Sequence, residues 1–310
     1  MAKYPSEIFG YPHSNTNNKA AEARTKHWCR FVDKVCYKQS RLINYPFGVC
    51  SAHVNGDEVA LCPRRFLDDH TVFTDIAQHR FKTVNDILVF SEIRLEDIGS
   101  FDFVMVKHKP MSPEIEDFVA IEFQTGQTTG TGQLVQGLKD SLGGKNVVQK
   151  SSAFGLNLYD IWKRSFTQIL NKGVIMENWR KKIYWVVQEP VYKYFETRYN
   201  LQSLDLQPQH STVFALYDLK RAKQMFELVA RRKISASMDQ LFASFRNNPN
   251  IPSVEKFLEA LTRKIEGEAQ ISLRLGRSTK TSTIDVKPPT ASGKVRESPA
   301  EYSKKDLFDD

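Results

Sequence analysis

The sequence predicts an α/β protein: a mixed sheet flanked by helices, behind an N-terminal segment that carries every cysteine. Three observations predict it. FDFVMV (101–106) and FVAIEFQ (118–124) alternate in the manner of strands. KIYWVVQ (182–188) and STVFALYDL (211–219) are dominated by β-branched and aromatic residues and read as buried strands. LNLYDIWKRSFTQILN (157–172) spaces its apolar residues as an amphipathic helix does.

The elements follow in order. Residues 18–40 are rich in Ala, Lys and Glu and are predicted helical, with Trp28, Phe31, Val32 and Val35 as a buried stripe. Residues 46–64 read as loop and short strands, and 87–96 mix apolar and acidic residues. KHKPMSPEIED (107–117) holds two prolines and is predicted to be a loop, so the strands around it can form a hairpin centred near residue 112. GQTTGTGQLVQGLKDSLGG (126–144) reads as a connecting loop, with a hairpin or flexible loop touching a phosphate backbone as the alternative; no Gly-Lys-Ser/Thr follows, so it is not a P-loop. Helices are predicted over 191–199, 219–232 and 253–267. The expected divisions are 1–80 for the helical and cysteine-bearing region, 81–275 for the core, and 276–310 for a flexible basic tail ending in a small apolar knot at Leu307 and Phe308.

Composition narrows the classes. The 310 residues suffice for one large domain or two, and 41% hydrophobic content supports a real core. A net charge of +8 attracts polyanions, nucleic acid among them. No apolar run approaches the ~20 residues of a membrane span. The opening MAKYPSEIFG lacks the apolar core of a signal peptide. A cytoplasmic location is therefore expected, with reduced cysteines that favour a metal site over disulfides.

Asp102, Glu122 and Gln124 are the candidate catalytic residues. Side chains alternate faces along a strand, so Glu122 and Gln124 point the same way, roughly 6.6 Å apart at ~3.3 Å per residue. In a hairpin turning near 112, Asp102 stands opposite Glu122. Two converging carboxylates repel unless a cation lies between them, and Mg²⁺ takes such hard oxygen ligands. Glu92 is a candidate third carboxylate, in competition with Glu96 and Asp97. The alternative is that Asp102, Glu122 and Gln124 are solvent-facing residues on half-exposed strands, and that the upstream carboxylates are helix-surface charges.

Cys29, Cys36, Cys50 and Cys62 are the only cysteines, with six, thirteen and eleven residues between successive members. Four thiolates match a tetrahedral iron or zinc site, although the spacing is not that of a zinc knuckle. The alternative makes Cys29 and Cys36 ordinary buried helix residues. The seven histidines form no HExxH, and no GxSxG occurs. KRSF (163–166) and WRKK (179–182) are basic clusters with aromatics, read as solvated faces or as contacts to DNA phosphates.

The strand aspartate followed by Glu-x-Gln resembles the PD-(D/E)xK nuclease pattern, with Phe101 where proline is usual and Gln124 where lysine is usual. Over nearly its full length the chain resembles the NotI family of type II restriction endonucleases. The segments that carry this are Cys29-x-Phe31, Cys36, GVC at 48–50, LCPRRFLD at 61–68, FDF at 101–103, VAIEFQT at 119–125, WKRSFTQ at 162–168 and Leu-Phe-Asp at 307–309. The resemblance implies a PD-(D/E)xK core of mixed sheet and helices, and a structural iron (or zinc) on the four cysteines. It implies Asp102 and Glu122 as Mg²⁺ ligands, Gln124 and Glu92 as their catalytic partners, and a prokaryotic setting. The expected activity is site-specific double-strand cleavage of DNA by a homodimer at a palindromic sequence. Two other readings stay open: a non-catalytic, metal-stapled DNA-binding protein with a vestigial core, and a monomeric repair or nicking nuclease.

Overall fold

A computed structural model describes residues 2–96, 98–149, 152–248 and 250–266. The chain divides into two compact units, Met1–Pro249 and Asn250–Asp310. The expected tail with Leu307 and Phe308 lies outside the described residues, as does Asp97.

The first unit begins with β1 (Tyr4–Ile8), β2 (Tyr11–Pro12), α1 (Asn18–Lys26), β3 (Trp28–Cys29), β4 (Lys34–Val35), β5 (Val49–Val54) and β6 (Asp57–Ala60). A 3₁₀ segment, Pro63–His70, leads into α2 (Thr71–Phe81). The helix predicted over 18–40 is corrected: it stops at Lys26. Asn17 caps its start by accepting from the Ala20 N–H at 2.8 Å. His27 ends it in the left-handed conformation, and its carbonyl then accepts from the Cys36 N–H at 2.8 Å. Residues 28–35 form a tight strand pair instead. The expected buried stripe fails with the helix: Trp28 and Val35 face each other across that pair and are 36% and 54% exposed.

Next come β7 (Ile87–Leu95), β8 (Gly99–His108), β9 (Ile115–Gln124), β10 (Thr128–Thr129), α3 (Thr131–Leu142), β11 (Gly155–Leu156) and α4 (Leu158–Asn178). The predicted loop at 107–117 is shorter: β8 and β9 extend into it, and the hairpin turns on Lys109–Glu114, where Pro110 and Pro113 sit. The glycine-rich stretch read as a loop instead holds α3, which buries Leu134, Val135 and Leu138. Gly137 serves packing: a Cβ there would lie 2.8 Å from the Pro5 ring.

The unit closes with β12 (Lys182–Gln188), α5 (Glu189–Tyr199), β13 (Thr212–Ala222), β14 (Met225–Ala236) and α6 (Met238–Arg246); the second unit contributes α7 (Val254–Glu266). The helix predicted over 219–232 is a β-hairpin turning at Lys223, which has φ 53°. Its residues suit a helix by propensity, yet Phe226 and Leu228 are buried on either side of exposed Glu227. Pairing along the whole of β13 outweighs that weak local preference.

Six strands form the main sheet in the order β14-β13-β12-β9-β8-β7. β9, β12 and β13 run parallel, and the outer pairs are antiparallel. Parallel neighbours need crossovers; α3 and α4 lie between β9 and β12, and α5 between β12 and β13. Each face of the sheet carries its own core. Val119, Ile121 and Phe123 of β9 pack with Val72, Phe73 and Ile76 of α2. Ala120 belongs to the opposite core, with Trp162 and Ile169 of α4 and the residues of the β2-β1-β5-β6 sheet.

Candidate active site

Alternation along β9 sends Ala120, Glu122 and Gln124 toward α4 while the odd-numbered residues fill the α2 side. β8 pairs with β9 through Phe103↔Ile121 and Val104↔Ala120, so the same register sets Asp102 across from Glu122. It also sets Asp102 across from Glu92, between the pairs Ser91↔Phe103 and Ile93↔Phe101. Three carboxylate residues thus stand in a row across β7, β8 and β9.

Their environments differ. Glu122 is buried, at 1% exposure. Burial first, and then the Asp102 charge, push its carboxyl up to about 7. Lys172 acts the other way, placing Nζ 2.6 Å from Glu122 Oε1. Burial also raises Asp102, opposed by the Phe123 N–H, which donates to its Oδ2 at 2.8 Å. Glu92 is exposed, yet its charge is felt at Asp102. Its φ of 54° puts a non-glycine residue in the left-handed region inside a strand, a strain of about 1–3 kcal/mol of the kind that gathers at functional sites. Glu96 lies in the exposed turn after β7.

Gln124 is fixed by α4. Its Oε1 accepts from Ser165 Oγ at 2.5 Å, and its Nε2 donates to Gln168 Oε1 at 3.4 Å. Ser165, Gln168 and Lys172 share one helical face by spacing. Sequence reasoning missed Lys172. The signal was present: Ser165 and Lys172 interrupt an otherwise apolar inner face, and both are buried. KRSF also proves divided, with Lys163 and Arg164 exposed and Ser165 buried. Beside Lys172 lies a cavity of about 150 Å³, lined by Gly99, Ser100, Thr167, Gln168 and Asn171.

The cysteines gather apart from these carboxylates. Cys29 lies on β3, Cys36 just after β4, Cys50 on β5 and Cys62 before the 3₁₀ segment; none is helical, and all are free thiols. They lie within electrostatic reach of one another. Burial pushes the Cys36 thiol up to about 11, with help from Cys29 and Cys62. Burial, followed by Cys62, Glu7, Cys29 and Cys36, holds Cys50 well above the thiol range. Among the described residues no group of three or more His, Cys, Asp or Glu side chains stands as a ready metal-ligand set. No helix among them is long and apolar enough to cross a membrane.

A mixed six-stranded sheet with buried carboxyls between a strand hairpin and a long helix is an architecture suited to an α/β enzyme. The model of the family described as restriction endonuclease NotI matches residues 17–230, a span that takes in the four cysteines, Glu92, Asp102, Glu122, Gln124 and Lys172. The chain belongs to the NotI restriction endonuclease family. The Leu-Phe-Asp at 307–309 falls outside the matched residues. No curated protein matches the chain closely enough to count as a relative.

Proposed function

We propose that the protein is a type II restriction endonuclease that makes site-specific double-strand cuts in DNA by Mg²⁺-dependent hydrolysis. The observation that carries this is the convergence of Asp102, Glu122 and Gln124 on one face of the sheet, in a chain of the NotI family. The three-stranded meander β7–β9, crossing over through α4 to β12 parallel to β9, supports a PD-(D/E)xK core. The donor chemistry fits a divalent cation: both carboxyls are held above their usual range by burial, and a neighbouring carboxylate adds to that in each case. Asp102 and Glu122 would hold the ion, with Glu92 as the third carboxylate; when bound, it polarises the phosphodiester and acidifies a water.

The chain's own groups do the rest. Gln124 orients the attacking water by hydrogen bonding, its amide held by Ser165 and Gln168. The β8–β9 pairing holds the two carboxylates at a fixed separation, so little reorganisation accompanies the reaction. The four thiols fit a structural iron or zinc ion by their donor chemistry, and a cation would offset the burial that raises Cys29, Cys36 and Cys50. A homodimer suits the two-fold symmetry of a palindromic site.

Glu122→Ala tests the reading. It is expected to abolish cleavage of a long, sequence-diverse DNA in Mg²⁺ while the protein still shifts that DNA on a native gel. Unchanged cleavage sinks the proposal. Wild-type protein that binds DNA indifferently to Mg²⁺ and never cuts it leaves the DNA-binding reading, which the uncharged Gln124 favours.

A further inference from the structure

The position that carries lysine in the PD-(D/E)xK pattern is Gln124, which holds no charge. Lys172 lies on the same face of the sheet, on α4, and is 5% exposed. Burying an ammonium costs several kcal/mol unless it is paired and hydrogen-bonded. Two of its N–H groups are committed: one to Glu122 Oε1 at 2.6 Å, one to the Ser100 carbonyl at 2.7 Å. The Phe101 ring lies 5.3 Å from Nζ and adds a cation–π contact. An ammonium has three donors, so one remains for a ligand.

The surroundings argue for more than a counter-ion. Lys172 lines the cavity of about 150 Å³ together with Thr167, Gln168 and Asn171. These side chains offer hydroxyl and amide donors, the groups that hold phosphate oxygens. Gly99, at φ 108°, has nothing within 4 Å of a would-be Cβ, so that wall is open. The helix that delivers Lys172 also fixes Gln124 through Ser165 and Gln168.

We infer that Lys172 supplies, from α4, the positive charge that Gln124 cannot, and that the cavity it lines receives the phosphate of the scissile linkage. This rests on the proposed nuclease reading. In the step itself the water oxygen bonds to phosphorus and one phosphorus–oxygen bond of the strand breaks. The water gives up a proton to solvent, and the leaving oxygen takes one up from solvent. Lys172 takes no part in these proton transfers and offsets the charge that gathers on the non-bridging oxygens.

The test is single-turnover cleavage of the sequence-diverse DNA in Mg²⁺ by the full chain. Wild type is compared with Lys172→Met, Lys172→Arg and the double variant Gln124→Lys/Lys172→Met, each rate referred to its folded fraction. Lys172→Met is expected to slow cleavage about 100-fold, the scale for losing one preorganised charge-stabilising donor. DNA affinity should change by less than about 3-fold, which marks a loss confined to the transition state. Returning the lysine to β9 in the double variant should recover about 10-fold or more of the rate, and Lys172→Arg should stay well above Lys172→Met. A purely structural ion pair gives no such recovery. Cleavage by Lys172→Met at the wild-type rate overturns the inference and leaves the nuclease reading standing. So does a loss that neither the Lys172→Arg change nor the strand lysine relieves. Wild-type protein that cuts no DNA overturns both.

Discussion

Arg65 shows what one buried charge can organise. It is wholly buried; Nε donates to Glu7 Oε2 at 2.7 Å, and its terminal nitrogens donate to Asp68 Oδ2 at 2.9 Å and to the Phe226 carbonyl at 2.7 Å. Ser51 Oγ donates to the same Glu7 oxygen at 2.8 Å, and Arg30 pairs with Asp68. One guanidinium thereby ties β1, the 3₁₀ segment and β14 together, beside the cysteines. Burial raises the Glu7 carboxyl, and Arg65 opposes it most strongly. Arg65→Met leaves Glu7 buried without its cation, while Asp68 keeps Arg30, and should cost about 3–5 kcal/mol, the usual loss when one partner of a buried pair is removed. In urea the midpoint should fall with an unchanged slope. A midpoint equal to wild type would show that the network contributes no net stability.

Between elements, α2 meets the sheet through polar contacts as well as apolar ones. His79 Nδ1 and the Tyr184 hydroxyl of β12 share a hydrogen bond at 2.7 Å. Asp75 accepts from Tyr217 of β13 at 2.7 Å and from Lys233 of β14 at 2.6 Å. Burial lowers the His79 pKa below its usual 6.5; Lys233, Lys82 and Lys182 add to this, and Asp75 opposes it. The folded state therefore binds fewer protons here than the unfolded chain does. The contribution is intact above about 6.5 and is lost as pH falls through 6.5 toward the depressed value. Wild type should lose more melting temperature between about pH 7 and pH 5 than His79→Gln does. Parallel melting curves for the two proteins would refute this. The 219–232 hairpin belongs to the same scale: its residues suit a helix, and only the length of β13 beside it makes them a strand.

At the scale of the whole molecule, a net charge of +8 suits a polyanionic substrate. The proposed assembly is two chains on a two-fold DNA site, each with a metal ion on Cys29, Cys36, Cys50 and Cys62. Native mass spectrometry of the purified protein reads both features at once. The expected species has twice the 35.6 kDa chain mass plus two iron or zinc ions. A bare single-chain mass at working concentration would count against the dimer and the metal together. A metal-loaded single chain would favour the monomeric nuclease instead.

The sequence by itself determined the α/β class, the hairpin of β8 and β9, the strand at 182–188, and the face shared by Asp102, Glu122 and Gln124. All of these follow from alternation and turn residues, which act within a few positions along the chain. It also showed which four residues can supply thiolates. Local spacing misled where a longer-range partner decided the outcome. Trp28, Phe31, Val32 and Val35 have helical spacing, but His27 turns the chain and residues 28–35 pair with each other. Glycines at 126–144 suggest a loop, yet Gly137 is small because Pro5, far away in sequence, packs against it. Only the tertiary structure could bring Lys172 to Glu122, 50 residues away, because the contact depends on how α4 crosses the sheet from β9 to β12. That crossing sets a buried charge beside two carboxylates, a relation to which periodicity along the chain is blind.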